Sequence, residues 1–236
     1  MDISLKKHVY MHIRTKLLTR ELAPGASISH RELAREIGVS FTPVREAIGQ
    51  LTNEGLLECR PSRGTFVSEL GREDLAELYD VREALECHAV GKMAGAMSVA
   101  DLAKMDQLTN EMAAVADEVG QSGNHVLTIE LADRWVTPDV AFHMTVLRAA
   151  GNRRALKITD KLRIMATIFG HRKHERPCDD LHDVCNEHRS IITALREGNA
   201  DDARKVMSEH IHRGCQIDLA AYDLNRIDEP LNEVPM

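Results

Sequence analysis

Ser29-His-Arg-Glu-Leu-Ala-Arg-Glu-Ile-Gly-Val-Ser-Phe-Thr-Pro-Val-Arg-Glu-Ala-Ile48 reads as two short helices joined by a tight turn, and this reading decides the fold of the first part of the chain. Ser29 and Glu32 have the spacing of a capping box, in which each side chain satisfies a backbone N–H left free at a helix start. The first helix therefore begins near His30. Gly38 can take the left-handed conformation that ends it, and Val39 and Ser40 make the turn. Thr42 before Pro43 predicts a second start with proline at its favoured first position, so the second helix spans residues 43–54. Leu33, Ile37, Val44, Ile48 and Leu51 fall on the inner faces. Arg31, Arg35, Thr42, Arg45 and Gln50 are left to face outward, where they can meet phosphates and bases.

Working outward, Leu56-Leu57-Glu58-Cys59-Arg60, a Pro61-Ser62-Arg63-Gly64 turn and Thr65-Phe66-Val67 fit two strands around a basic hairpin. A hairpin after such a helix pair is a wing. The run GVSFTPVREAIGQLTNEGLLECRPSRGTFV, with LAPGASIS upstream, resembles the winged helix-turn-helix of the GntR family of bacterial transcription regulators. The resemblance implies a DNA-binding domain over residues 1–70. Its expected contacts are Arg31, Arg35, Ser40, Phe41, Thr42, Pro43 and Arg45 on the helices, with Arg63 and Gly64 in the wing. Where the family commonly has an arginine that touches a base, this chain has Phe41. An aromatic ring there can pack on a thymine methyl or on protein, but it cannot make the bidentate contact to guanine.

The chain has 236 residues, enough for two domains, and its 43% hydrophobic and 28% charged content is ordinary for a globular protein. Only 3% is aromatic, which favours helical packing by Leu, Ala, Ile and Met over a β-sandwich. The N-terminal stretch has charges at every turn, so neither a signal peptide nor a membrane span is expected, and a cytoplasmic location is. Five cysteines, Cys59, Cys87, Cys178, Cys185 and Cys215, lack a paired metal spacing. They are expected to be buried or idle thiols, with Cys178 and Cys185 as a redox pair the alternative. Net charge is −7, divided as +2 over residues 1–70 and −9 over the remainder. This asymmetry suits a DNA-binding head on an acidic body.

After a linker at residues 68–74, nearly every apolar residue recurs at helical spacing, so the expected architecture is mainly α: a winged helix followed by an all-α bundle over residues 74–224. Helices are expected over residues 75–97, 98–119, part of 125–136, 137–150, 152–169, 180–197 and 201–222, with a His-rich loop before Pro177 and a frayed tail after Leu224. Within this half Asp139 and His143 are four apart and share a helix face. His188 lies ten residues before Gly198 and His210 eleven after Asn199, so an antiparallel hairpin sets them side by side. Imidazole with carboxylate suits Zn²⁺, Ni²⁺, Mn²⁺ or Fe²⁺ more than Ca²⁺. With twelve histidines in the chain, spacing alone makes this a modest signal.

Asp139-Val-Ala-Phe-His143, the Ala149-Ala-Gly-Asn152 turn, Asn186-Glu-His188-Arg-Ser-Ile-Ile-Thr-Ala-Leu-Arg-Glu-Gly198 and Met207-Ser-Glu-His210-Ile resemble the FCD effector domain of the FadR-type branch of the same family. That resemblance implies that Asp139, His143, His188 and His210 hold a divalent metal, zinc first and nickel, manganese or iron after it, with an organic acid beside it. It also implies that Arg82 faces the effector; the alternative is a surface salt bridge with Asp80, Glu83 or Glu86. Arg163 and Asn186 are further candidates for the cavity. His171, His174 and His182 are expected on loops or the surface, and Trp135 in the core.

The sequence therefore points to a DNA-binding transcription regulator, a repressor, whose grip on double-stranded operator DNA is controlled by a small carboxylate effector. It is expected to act as a homodimer on a short palindrome, since a two-fold axis spaces two recognition helices for successive major grooves. The alternative is a metal-dependent hydrolase or isomerase using the Asp/His₃ site. That reading leaves the DNA-binding head unexplained.

Overall fold

The computed structural model describes residues 4–19, 21–123, 125–169 and 177–228. Its elements in order are α1 (Leu5–Leu18), β1 (Ser27–Ile28), α2 (His30–Ile37), α3 (Phe41–Asn53), β2 (Leu57–Arg60), β3 (Gly64–Val67), α4 (Arg72–Met93), α5 (Val99–Gln121), α6 (Ile129–Ala149), α7 (Arg153–Phe169), α8 (Cys178–Glu197) and α9 (Ala200–Asp228). They form two compact units, one of Met1–Gly71 with Met165–Phe169, the other of the remaining residues.

In the first unit Ser29 caps α2 by accepting from the Glu32 N–H at 3.2 Å, and Gly38, at φ 74°, closes it in the left-handed conformation. The second helix starts earlier than its proline signal suggests. Ser40, not Thr42, is the N-cap of α3, and it makes no side-chain cap bond. Pro43 is thus the third helical residue, still within the first turn, where its missing N–H leaves no intrahelical bond unmade. Val44, Ala47, Ile48 and Leu51 of α3 are buried together with Leu33 of α2, while Ile37 is only half-buried. They close over α1, which packs on α3 and whose Val9, Ile13 and Leu17 are fully buried. The wing is a three-stranded antiparallel sheet in the order β1-β3-β2. Ile28 lies opposite Thr65 and Cys59 opposite that same residue from the other side.

The second unit is all α. Ser98 caps α5 through the Asp101 N–H at 3.0 Å, and the Asn152 side chain caps α7 by accepting from Arg154 and Ala155, each at 3.1 Å. The short helix and fresh start expected at Thr137-Pro138 are replaced by one helix, α6, with Pro138 inside it. The cost is the one backbone bond that proline, lacking an N–H, cannot give. Trp135 before it and Phe142 after it are both buried and hold the two halves in place. Likewise α4 runs from Arg72 and stops at Met93 rather than Met97, and α9 continues through Leu224 to Asp228. The tail after Asp228 and the His-rich loop lie outside the described residues.

α8 and α9 are antiparallel across Gly198, whose φ of 73° turns the chain. α9 lies along α4, fastened by Tyr79 Oη donating to Asp218 at 2.5 Å and by Arg72 Nε donating to Asp223 at 3.0 Å. Trp135, Met112, Val115, Val119, Leu181, Val184 and Cys185 form one core cluster, against which Cys178 also packs. Cys178 and Cys185 are seven residues apart on α8, hence about 10 Å along its axis, beyond disulfide reach. The redox pair is excluded within the folded chain.

Candidate metal centre and DNA-reading face

Three helices of the second unit contribute the converging side chains: Asp139 and His143 from α6, His188 from α8 and His210 from α9. One donor atom from each lies within 4.8 Å of every other. Asp139 Oδ1 is 3.6 Å from His188 Nε2 and 3.8 Å from His143 Nε2, and the Nε2 atoms of His143 and His210 are 3.2 Å apart. The three histidines are buried and Asp139 is half-buried.

What surrounds these donors explains how they are aimed. His143 Nδ1 lies 2.5 Å from Glu86 Oε2, and His210 Nδ1 is 2.8 Å from Glu187 Oε2. Glu187 is in turn gripped by Arg213 at 2.8 Å, which also reaches Asp183. The Glu187 carboxylate on His210 Nδ1 holds the proton there and turns the Nε2 lone pair inward, as metal-ligating histidines require, and Glu86 stands against His143 Nδ1 in the same sense, close but without hydrogen-bond geometry. His188 is placed differently: its ring stacks on Phe142, centroids 3.9 Å apart and planes within 5°. Both of its nitrogens are buried without a hydrogen-bond partner.

Burial, then the Arg163 charge, lowers the pKa of His143 to about 4, and burial, then His210, lowers that of His188. Both are neutral at neutral pH, the form that binds metal. Burial alone would raise the Asp139 pKa, but Arg163 and the three histidines hold it well below the usual carboxylate range. Asp139 is therefore an anion. Facing Nε2 lone pairs, an orphaned buried imidazole and an anionic carboxylate fit a divalent cation, and the three-nitrogen, one-oxygen set is of the borderline type that zinc accepts.

Arg82 is not at the surface. It is 6% exposed, its guanidinium lies 4.7 Å over the Tyr79 ring, and its Nε donates to Glu86 Oε1 at 3.0 Å. Of the expected surface partners it takes Glu86, but inside the bundle. Arg163 stands nearer the cluster than sequence alone could say: Nη2 donates to Asp139 Oδ2 at 2.5 Å and Nη1 is 3.6 Å from Glu86 Oε1. Its Nε and Nη1 are buried with no hydrogen-bond partner. Asn186 is exposed and accepts from Arg189, so it lines no buried cavity. His182 is a partly exposed neighbour of Asp117, Trp135 is in the core, and His171 and His174 lie outside the described residues. The sequence reading missed Glu86 and Glu187 as orienting carboxylates. Their only signal was position, Glu86 four residues after Arg82 and Glu187 beside His188.

In the first unit Arg31, Arg35, Ser40, Phe41, Thr42 and Arg45 are exposed on α2, α3 and the turn between them, and Arg63 and Gly64 on the wing. Pro43 is buried and drops out of the contact set, because a side chain enclosed by protein cannot reach DNA. Gln50 is half-buried and spends its amide on Glu54 at 3.0 Å.

A winged helix with open arginines, carried on the same chain as an all-α domain, defines a DNA-binding regulator of transcription. Residues 5–67 match the family described as bacterial regulatory proteins, gntR family, and residues 77–213 match the FCD domain; the chain belongs to this GntR family. It is similar to an uncharacterized HTH-type transcriptional regulator in an unstable DNA locus of Streptomyces ambofaciens, 31% identical over 87% of this chain and 81% of that protein. It is also similar to a probable D-xylose utilization operon transcriptional repressor of Paenarthrobacter nicotinovorans, 31% identical over 79% of this chain and 76% of that one. The solved structure of E. coli McbR/YncC shares the fold, with a TM-score of 0.76 at 21% identity over 94% of this chain and all of that one. The family consists of transcription regulators, which sets aside the hydrolase or isomerase reading. Among the described residues no helix is long and apolar enough to cross a membrane.

Proposed function

We propose that the protein is a cytoplasmic, homodimeric repressor whose hold on a palindromic operator is controlled by a small organic acid bound beside a zinc ion in the helical domain. The convergence of Asp139, His143, His188 and His210 within 4.8 Å carries this reading, because it turns His188, buried with neither nitrogen hydrogen-bonded, toward two further imidazoles and a carboxylate, and an ion bound between them would satisfy it. These four residues would hold the ion, which when bound supplies a positive charge able to take an acidic ligand. The charges around it argue for an anion. Arg82 and Arg163 balance Glu86 and Asp139, so a divalent ion leaves a buried excess of positive charge that a carboxylate offsets. Arg163, with free N–H groups, and Arg82 behind it are the side chains shaped to hold such a group. Repression is supported by the relative named as a repressor of a D-xylose utilization operon.

Metal analysis of the purified chain tests the centre: close to one divalent ion per chain is expected, and His188→Ala or His210→Ala should lose it along with the stabilisation that a ligand of the folded state provides. Metal content unchanged in both variants removes the centre. Calorimetric titration of the metal-loaded protein with hydroxy acids and sugar acids then tests the effector class.

A further inference from the structure

Phe41 opens α3 with 51% of its surface exposed. Among the described residues it is the one large apolar side chain of α2, α3 or the wing left so open. The open half of a phenyl ring at a helix start gains nothing from the fold around it, since burying that surface would be favourable. Its position is nevertheless set. The His30 ring stands against it with centroids 5.7 Å apart, and His30 Nε2 is 2.9 Å from Thr65 Oγ1 of β3. Thr65 is buried, so this prop is anchored in the sheet. One side of the phenyl ring is supported and the other faces solvent. Arg45 is four residues further along α3, on the same helix face, and is also exposed. Arg31, Arg35 and Arg63 of the same unit are exposed as well, so cations able to meet phosphates accompany the ring on α2 and the wing.

A phenyl ring has no donor or acceptor for a base edge. The one apolar group that a base pair presents in the major groove is the methyl on C5 of thymine. We propose that Phe41 reads the C5-methyl of a pyrimidine in each half of the operator, and that His30, tied to Thr65, positions the ring for it. This rests on the DNA-binding reading above.

The test uses the full, metal-loaded chain and a randomised duplex library, from which the preferred site is enriched. Each thymine of that site is then replaced by deoxyuridine, which removes the methyl alone. One thymine per half-site should respond, with binding weakened about three- to fivefold, the value of one buried methyl. Phe41→Ala should show that same loss on the unmodified site and be indifferent to the uracil. At that position 5-methylcytosine should bind better than cytosine, separating a methyl reader from one that reads the rest of thymine. His30→Ala should blunt the thymine preference while leaving the salt dependence of binding unchanged. Enriched sites that tolerate uracil at every position, or a Phe41→Ala variant as methyl-sensitive as the parent, overturn the inference while leaving DNA binding intact. Failure to enrich any duplex overturns both.

Discussion

Arg82 shows how far one side chain's role depends on where its partners lie. Its guanidinium is enclosed between Tyr79 and Glu86, and Glu86 also touches the imidazole of His143. Removing the arginine takes from a buried carboxylate the one cation that hydrogen-bonds to it, leaving Arg163 at 3.6 Å and His143 beside it, so Arg82→Ala should cost about 3 to 5 kcal/mol of stability in chemical denaturation. An exposed salt bridge would change by less than about 1 kcal/mol, and a loss that small would show that the pair is not buried in solution. Arg45 is the opposite case, exposed and with no ion pair or side-chain hydrogen bond among the described residues. Arg45→Ala should leave the melting temperature unchanged and weaken binding to the enriched site by about 1 to 3 kcal/mol. Normal affinity would remove α3 as the recognition helix. At this scale the convergence of the four side chains was legible, because Asp139 and His143 are one helical turn apart and the hairpin at Gly198 sets His188 beside His210. Their orienting carboxylates were not, because a glutamate beside a histidine carries no mark that distinguishes a buried hydrogen bond from a solvated charge. Arg163 was one of several possible cavity residues until the packing of α7 brought it to Asp139.

Elements were legible where local chemistry punctuates them. Ser29, Gly38, Ser98, Asn152 and Gly198 each stand at a helix boundary that a side-chain acceptor or a left-handed residue defines. Pro43 and Pro138 misled for one reason: a proline signal is a local preference, and packing overrode it. In α6 the buried residues on either side of Pro138 outweigh a single missing bond, and in α3 the helix gains two residues ahead of the proline without losing one. α1 is the element least visible in the sequence, since its charges mask an apolar row. Yet Val9, Ile13 and Leu17 recur every four residues, and that spacing was available as a signal. These three side chains form one wall of the first unit's core, so Ile13→Ala should destabilise it by about 2 to 5 kcal/mol and abolish DNA binding at temperatures where metal content is unaffected. Calorimetry that shows both units melting as before would mean that α1 is dispensable to the head.

For the molecule as a whole, the charge division between a +2 head and a −9 body favours the approach of the head to DNA over that of the body, and the buried histidines of the candidate centre add a pH dependence that neither surface charge would give. In the folded chain burial, aided by Arg163, lowers the His143 pKa to about 4, and burial lowers that of His188, against an unfolded value near 6.5. Between those limits the unfolded chain binds protons that the folded one refuses, so stability rises with pH through this window and is lost as pH falls. The depressed carboxylates Asp139 and Glu86 have the same sign, but their contribution is complete above their unfolded values near 4 and fades only below them. Acidification from pH 7 to pH 5 therefore isolates the histidines. Metal-stripped protein should lose stability across that interval, on the order of 2 kcal/mol for His143 alone. Metal-loaded protein should begin higher and fall more steeply once protons displace the ion from the imidazoles. Replacing His143 with Gln, which cannot take up a proton here, should lessen the slope of the metal-free profile and leave the part due to His188. A metal-free melting temperature that is level from pH 7 to pH 5 in the parent chain would mean that these imidazoles are not buried as neutral groups and are not ready for a cation at neutral pH.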